Sequence, residues 1–178
     1  MTVRLLALAL SVLGSAVDAG MADEIKVVSL VRDQRVYVSF TMASGLTGDL
    51  RAAIHSGLPT TISYDVDLRR EVAGWIDKTL QSATLSAIVQ YDNLTRRYRL
   101  SRTVDGRGEE PTVTDDEEVV RRWLTTFERL PLFTTDRLET NVEYYVRVRA
   151  RPRPWTAWFF WPWDRGSASG IHKFTYLQ

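Results

Sequence analysis

From Val142 to Arg151 the chain alternates apolar and polar residues without a break. Val142, Tyr144, Val146, Val148 and Ala150 fall on one side, with Glu143, Tyr145, Arg147, Arg149 and Arg151 on the other. A period of two is the mark of a β-strand with one buried face and one wet face. The same period recurs at Val36, Val38, Phe40 and Met42, at Ile62, Tyr64, Val66 and Leu68, and at Leu85, Ala87, Val89 and Tyr91. Half-wet strands belong to antiparallel sheets, because parallel sheets are covered on both faces. The chain is therefore mainly β.

Turn chemistry joins these strands. Arg32-Asp33-Gln34 links a strand over Ile25–Val31 to the Val36 strand, and Asp92-Asn93 links Leu85–Tyr91 to a strand over Thr95–Thr103. Gly106, Gly108 and Pro111 mark a polar loop, and Ile171–Leu177 supplies a last strand. Two helices interrupt the pattern. One places Leu46, Leu50, Ala53 and Ile54 on one side and stops at Gly57 and Pro59. The other starts at a Thr114/Glu117 capping box with acids in its first turn, puts Val120, Trp123, Leu124 and Phe127 on one face, and ends at Pro131. Glu71–Ser82 fits a loose helix face or a strand continued past a bulge at Gly74. The expected architecture is an antiparallel β-sandwich of about seven strands with two short helices. The alternative is an α+β fold, with both helices on one face of a single antiparallel sheet.

The N-terminus reads as a secretory signal over residues 1–22. Arg4 is a basic start, Leu5–Leu13 is an apolar run, and small residues around Ala16–Ala19 offer a cleavage site. The run is short of the roughly 20 residues a membrane span needs. An uncleaved anchor is the other reading. Residues 23–178 then form one β-rich domain, with a Trp-rich loop at 152–164. The chain has no cysteine, so disulfides, zinc–thiolate sites and thiol nucleophiles are closed to it. An exported chain without disulfides fits a bacterial periplasm or envelope. Its net charge of +1 provides no field to draw nucleic acid.

Two surface features stand out. The run from Arg151 to Arg165 holds four of the six tryptophans, Trp155, Trp158, Trp161 and Trp163, together with Phe159 and Phe160. Tryptophan suits a membrane–water interface, and flanking arginines suit anionic headgroups. The run is thus a candidate surface for a membrane or a protein partner, or else a connection folded back over the end of the sandwich. The second feature is a basic stripe. Arg97 and Arg99 share the polar side of one strand, and Arg147, Arg149 and Arg151 share that of another. Neighbouring strands would merge them into a basic face, unless Asp65, Asp67, Glu139 and Glu143 balance it.

Catalysis finds little footing. His55 and His172 are the only histidines, and neither has a carboxylate at metal-ligand spacing. There is no nucleophile elbow and no phosphate-cradling glycine loop. Asp65, Asp67 and His55 are the loose candidates for a hydrolase. No catalytic residue, metal site or cofactor is assigned, and binding is the expected mode of action. An apolar-ligand carrier, with a hollow between the sheets, is the other non-catalytic class.

Several local patterns resemble an uncharacterised bacterial family, the domain-of-unknown-function family 4390. They are Ser56-Gly57-Leu58-Pro59, Trp75-Ile76-Asp77, the hairpin Tyr91-Asp92-Asn93-Leu94-Thr95-Arg96-Arg97-Tyr98, and Tyr145-Val146-Arg147-Val148-Arg149 before a Trp/Pro-rich loop. The hairpin is the most specific of these. The resemblance runs from Ile25 to Trp163. It implies an exported bacterial protein, encoded in some members near a membrane sensor kinase of the nitrogen-regulation type, and it carries over no catalytic residues.

Overall fold

The computed structural model describes residues 25–43, 46–72, 74, 77–154 and 168–177. Among the described residues ten strands and two helices follow one another: β1 (Ile25–Arg32), β2 (Arg35–Met42), α1 (Gly48–His55), β3 (Thr60–Arg70), β4 (Lys78–Asp92), β5 (Arg97–Val104), β6 (Arg107–Gly108), β7 (Thr112–Thr114), α2 (Glu117–Thr125), β8 (Thr126–Thr134), β9 (Glu143–Pro154) and β10 (Ser169–Thr175). All described pairings are antiparallel. A large sheet runs β10-β9-β3-β4-β5-β6, with β7 also on β5, and a small sheet runs β1-β2-β8. The architecture is the expected mainly-β sandwich with two short helices.

The apolar sides of the alternating strands meet between the sheets. Tyr64, Val66, Leu68, Leu85, Val146 and Val148 from the large sheet are fully buried, as are Val36 and Val38 from the small one. Phe40 links the layers, with its ring 5.0 Å from Tyr64 and 4.7 Å from Phe127. Both helices pack with the small sheet over the same inner face, contacting β4. Val120 and Leu124 of α2 are buried there, as is Ile54 of α1. The outer face of the large sheet stays polar.

Several boundaries differ from the sequence reading, each for a local reason. Ten strands replace about seven because β6 and β7 are too short to show a period, and because β8 was hidden inside the second predicted helix. That helix stops at Thr125. Thr126 is already extended, at φ −122° and ψ 128°. Phe127 keeps its inward place by strand alternation rather than helical spacing. Pro131 lies inside β8 and does not end the helix. A proline is tolerated there because β8 is an edge strand. The α2 N-cap is Asp116, whose carboxylate accepts from Glu118 N at 2.7 Å, while Thr114 Oγ1 accepts from Asp116 N. Residues Glu71–Ser82 contain no described helix: β3 runs to Arg70, β4 starts at Lys78, and Gly74 sits in the turn at φ 73°. The β1–β2 hairpin turns on Asp33 and Gln34, both at positive φ (49° and 59°), as a tight two-residue hairpin requires.

Candidate binding surfaces

The outer face of the large sheet carries the charged side of β3 and β9. These strands are neighbours, and their register sets Asp67 opposite Arg147 and Asp65 opposite Arg149. Arg147 reaches Asp67 at 2.7 Å and Arg149 reaches it at 3.3 Å, while Arg151 pairs with Asp65 at 2.5 Å. Ser82 Oγ donates to the other Asp67 oxygen at 2.9 Å. Burial alone pushes the Asp67 carboxyl up. The hydrogen bonds from Arg147 and Ser82 and the charges of Arg147 and Arg149 outweigh this and hold it below the usual carboxylate range. Arg97 and Arg99 lie on β5, separated from β9 by the two strands β3 and β4. The two arginine groups therefore form separate patches, and the β9 group is laced to the aspartates. Of the other two acids, Glu139 pairs with Arg70 and Glu143 with Lys173.

One end of the large sheet gathers segments far apart in sequence. The turn Ser56–Pro59 leads from α1 into Thr60, which lies opposite Val89 on one side and Pro154 on the other. The β4–β5 hairpin projects past it. Its turn is held by Asp92, whose carboxylate accepts from Leu94 N and Thr95 N at 2.8 and 3.1 Å. Gly57 sits at φ 82°, and a side-chain carbon there would come within 2.8 Å of Asn93 Nδ2. Glycine suits both the conformation and the close approach. His55 at the end of α1 packs at a tilt on Tyr91 and edge-on to Tyr98, with ring centroids 4.7 and 5.9 Å away. Tyr98 Oη lies 3.2 Å from His55 Nε2 and donates to Glu117 Oε1 at 3.3 Å. Burial, with Glu117 alongside, pushes the Tyr98 phenol up to about 12. Arg51 Nε closes the group on the other Glu117 oxygen at 3.3 Å. The cluster ties both helices to the hairpin. Two apolar side chains stand free at this end, Leu58 at 51% exposure and Leu94 at 96%.

A second tie joins β9 to the β3–β4 connection, where Tyr145 Oη donates to Asp77 Oδ2 at 2.5 Å. The contacts Gly57–Asn93 and Asp77–Tyr145 thus bring together pairwise the four stretches on which the family resemblance rests. The family described as a domain of unknown function, DUF4390, matches residues 22–154. The chain belongs to this family. No curated relative and no solved structure matches it.

Within this DUF4390 fold the hydrolase candidates stay apart. Asp65 and Asp67 face outward among arginines, whereas His55 sits with Tyr98 and Glu117 at the sheet end. Among the described residues, no group of three or more His, Asp or Glu side chains gathers as a metal site. No described helix is long and apolar enough to cross a membrane. His172 faces Ser29 across the sandwich edge, with Nδ1 2.8 Å from its Oγ. The predicted signal at 1–22 lies outside the described residues. So do Trp155, Trp158, Phe159, Phe160, Trp161 and Trp163. The ends of that segment are placed: Pro154 lies opposite Thr60, and Ala168 O accepts from Ala150 N at 2.9 Å.

Arg102 escaped the sequence reading. Its β5 neighbours Tyr98 and Leu100 point inward, and so does Arg102. Its guanidinium donates to Trp123 O and Thr126 O, and it lies 4.3 and 4.2 Å from the Trp123 and Phe127 ring centroids. An arginine at an apolar parity position was the available sign of a buried cation with carbonyl partners.

Proposed function

We propose that this chain is an exported bacterial protein of the periplasm or envelope that acts by binding, and that it binds through the sheet end from which its aromatic segment departs. The observation that carries the reading is placement. The residues leading into the tryptophan-rich run begin opposite Thr60, beside the turns that hold Leu58 and Leu94 exposed. The same sheet end carries the exposed Leu58 and Leu94, with Arg96 and Arg97 at the hairpin, and the tryptophan-rich run follows it in sequence. That composition suits a membrane surface with anionic headgroups. The N-terminal basic, apolar and small-residue pattern supports export. A signalling accessory role beside a membrane sensor kinase is what the family resemblance implies, and it is part of this proposal.

The space between the sheets is filled by Phe40, Tyr64 and Phe127, which favours surface binding over carriage of an apolar ligand. The test is tryptophan fluorescence of the full chain with vesicles of phosphatidylcholine alone and with phosphatidylglycerol added. The expected result is a blue shift with the anionic vesicles that is lost in a Trp158→Ala/Trp161→Ala variant and reduced in Leu94→Ser. A spectrum unmoved by either vesicle rejects the membrane surface and turns the search to a protein partner.

A further inference from the structure

At the opposite end of the large sheet, the strand register sets two cations side by side. Arg70, the last residue of β3, lies directly opposite Lys78, the first of β4. Like charges facing each other across a strand pair are destabilising. Arg137, from the loop after β8, comes to the same place and donates from Nη1 to Leu80 O at 3.2 Å. The three cations line one open cavity of about 290 Å³, together with Thr79, Leu80, Glu139 and Tyr144.

Among the described residues Glu139 is the only acid in that lining, and Arg70 holds it at 2.7 Å. The neighbouring carboxylates are committed elsewhere. Asp77 takes hydrogen bonds from Tyr145 Oη and Val72 N, Glu71 pairs with Lys173, and Asp136 accepts from Thr134 Oγ1. Lys78 makes no ion pair among the described residues, and Arg137 meets a carbonyl rather than a carboxylate. The cavity therefore carries two positive charges beyond its one acid. Its volume is near the roughly 300 Å³ at which small-ligand sites begin.

We infer that this cavity is a binding site for a phosphate-type oxyanion, held by Lys78 and Arg137 with Arg70 fixed beside them by Glu139. Guanidinium forks match the geometry of phosphate oxygens, and the ammonium of Lys78 adds a mobile point charge. The anion would relieve the Arg70–Lys78 repulsion, so the free protein stores a cost that binding releases. The site is independent of the aromatic segment, which leaves from the other end of the sheet.

The test uses the full chain, inorganic phosphate, and chloride buffer of matched ionic strength. Phosphate is expected to raise the thermal midpoint in a saturable way. Lys78→Gln and Arg137→Gln are each expected to weaken this at least tenfold. In chloride alone, Lys78→Gln should keep or raise the midpoint, because it removes one of two facing cations. Flotation with phosphatidylcholine vesicles, with and without phosphatidic acid, identifies the source. Free phosphate binding without flotation means a soluble ligand. Flotation that is lost in Lys78→Gln and kept in Trp158→Ala/Trp161→Ala means a lipid headgroup. The inference is overturned if neither probe binds, if both cation variants bind like wild type, or if Lys78→Gln lowers the chloride midpoint by several degrees.

Discussion

Arg102 tests how α2 can run straight into β8 without a loop. A helix leaves its last carbonyls without intrahelical partners, and here they face the interior. Tyr64 Oη donates to Leu124 O at 2.7 Å, and the Arg102 guanidinium serves Trp123 O and Thr126 O. Burial pulls the Arg102 pKa down, opposed by the charge of Glu109, yet an arginine stays protonated inside a protein. Replacing it with methionine keeps much of the stem's packing between Trp123 and Phe127. It strands two carbonyls at about 1–3 kcal/mol each and forfeits about 0.5–2 kcal/mol of cation–ring attraction. Against this, the variant no longer has to desolvate a cation, which is worth several kcal/mol. The net expectation is a loss of about 2–4 kcal/mol, within the range seen when one partner of a buried polar network is removed. Urea unfolding followed by circular dichroism measures it, with an unchanged denaturant slope showing that only stability has moved. Arg102→Lys should fall between the two, since an ammonium cannot serve both carbonyls in a planar fork. A methionine variant within 0.5 kcal/mol of wild type would refute the reasoning, because the desolvation cost would then cancel the cap.

Three further outcomes are expected. Gly170→Ala puts a carbon 1.9 Å from Ile25 O and 2.9 Å from Val27 Cγ2, so β1 and β10 must separate, and thermal unfolding should show a loss of about 1–3 kcal/mol. Gly57→Ala is strained by its φ of 82° as well as by Asn93; adding Asn93→Ala should recover only the part due to contact, as read by a double-mutant cycle in urea. The Asp67 carboxyl lies below its unfolded value in the folded chain, so its contribution is complete above about pH 4 and is lost as pH falls through the folded value. Wild-type stability should therefore drop on acidification across that window, and Asp67→Asn, less stable at neutral pH, should show a shallower drop.

The sheets were legible because alternation is a local property. Val36–Met42 and Val142–Ala150 carry their burial pattern in the residue order, and both took the predicted faces. Strand order is not local. Arg97–Arg99 and Arg147–Arg151 read as one stripe only if β5 adjoins β9, and the chain inserts β3 and β4 between them. The register of β3 on β9 then delivers Asp65 and Asp67 to the arginines, a match that no spacing in the sequence encodes. The α2–β8 junction failed for a related reason. Val120, Trp123, Leu124 and Phe127 satisfy helical spacing, while Phe127 and Phe133 satisfy strand alternation around the irregular pairing of β8 with β2. Both periods claim Phe127. Arg102, which caps the helix at that point, is 21 residues away from Trp123. The cation cavity was hidden in the same way, because Arg70, Lys78 and Arg137 share nothing in sequence.

The stretches that resemble DUF4390 explain the scaffold more directly than they explain an activity. Gly57 leaves room for Asn93 where His55 joins α1 to Tyr91 and Tyr98 of the β4–β5 hairpin, and Tyr145 on Asp77 fastens β9 to the β3–β4 turn. Each contact closes one end of the central β9-β3-β4 unit, where the chain would otherwise fray. Residues committed to such clamps have little freedom to meet a ligand: Tyr98 already serves His55 and Glu117, and Asp77 already serves Tyr145 and Val72. Groups without that commitment are the ones available for binding. They are Leu58 and Leu94 at one end of the sheet, and at the other Lys78, beside Arg137, which meets a carbonyl rather than a carboxylate. The two proposals therefore concern opposite ends of one sheet, and variants at one end should leave binding at the other unchanged.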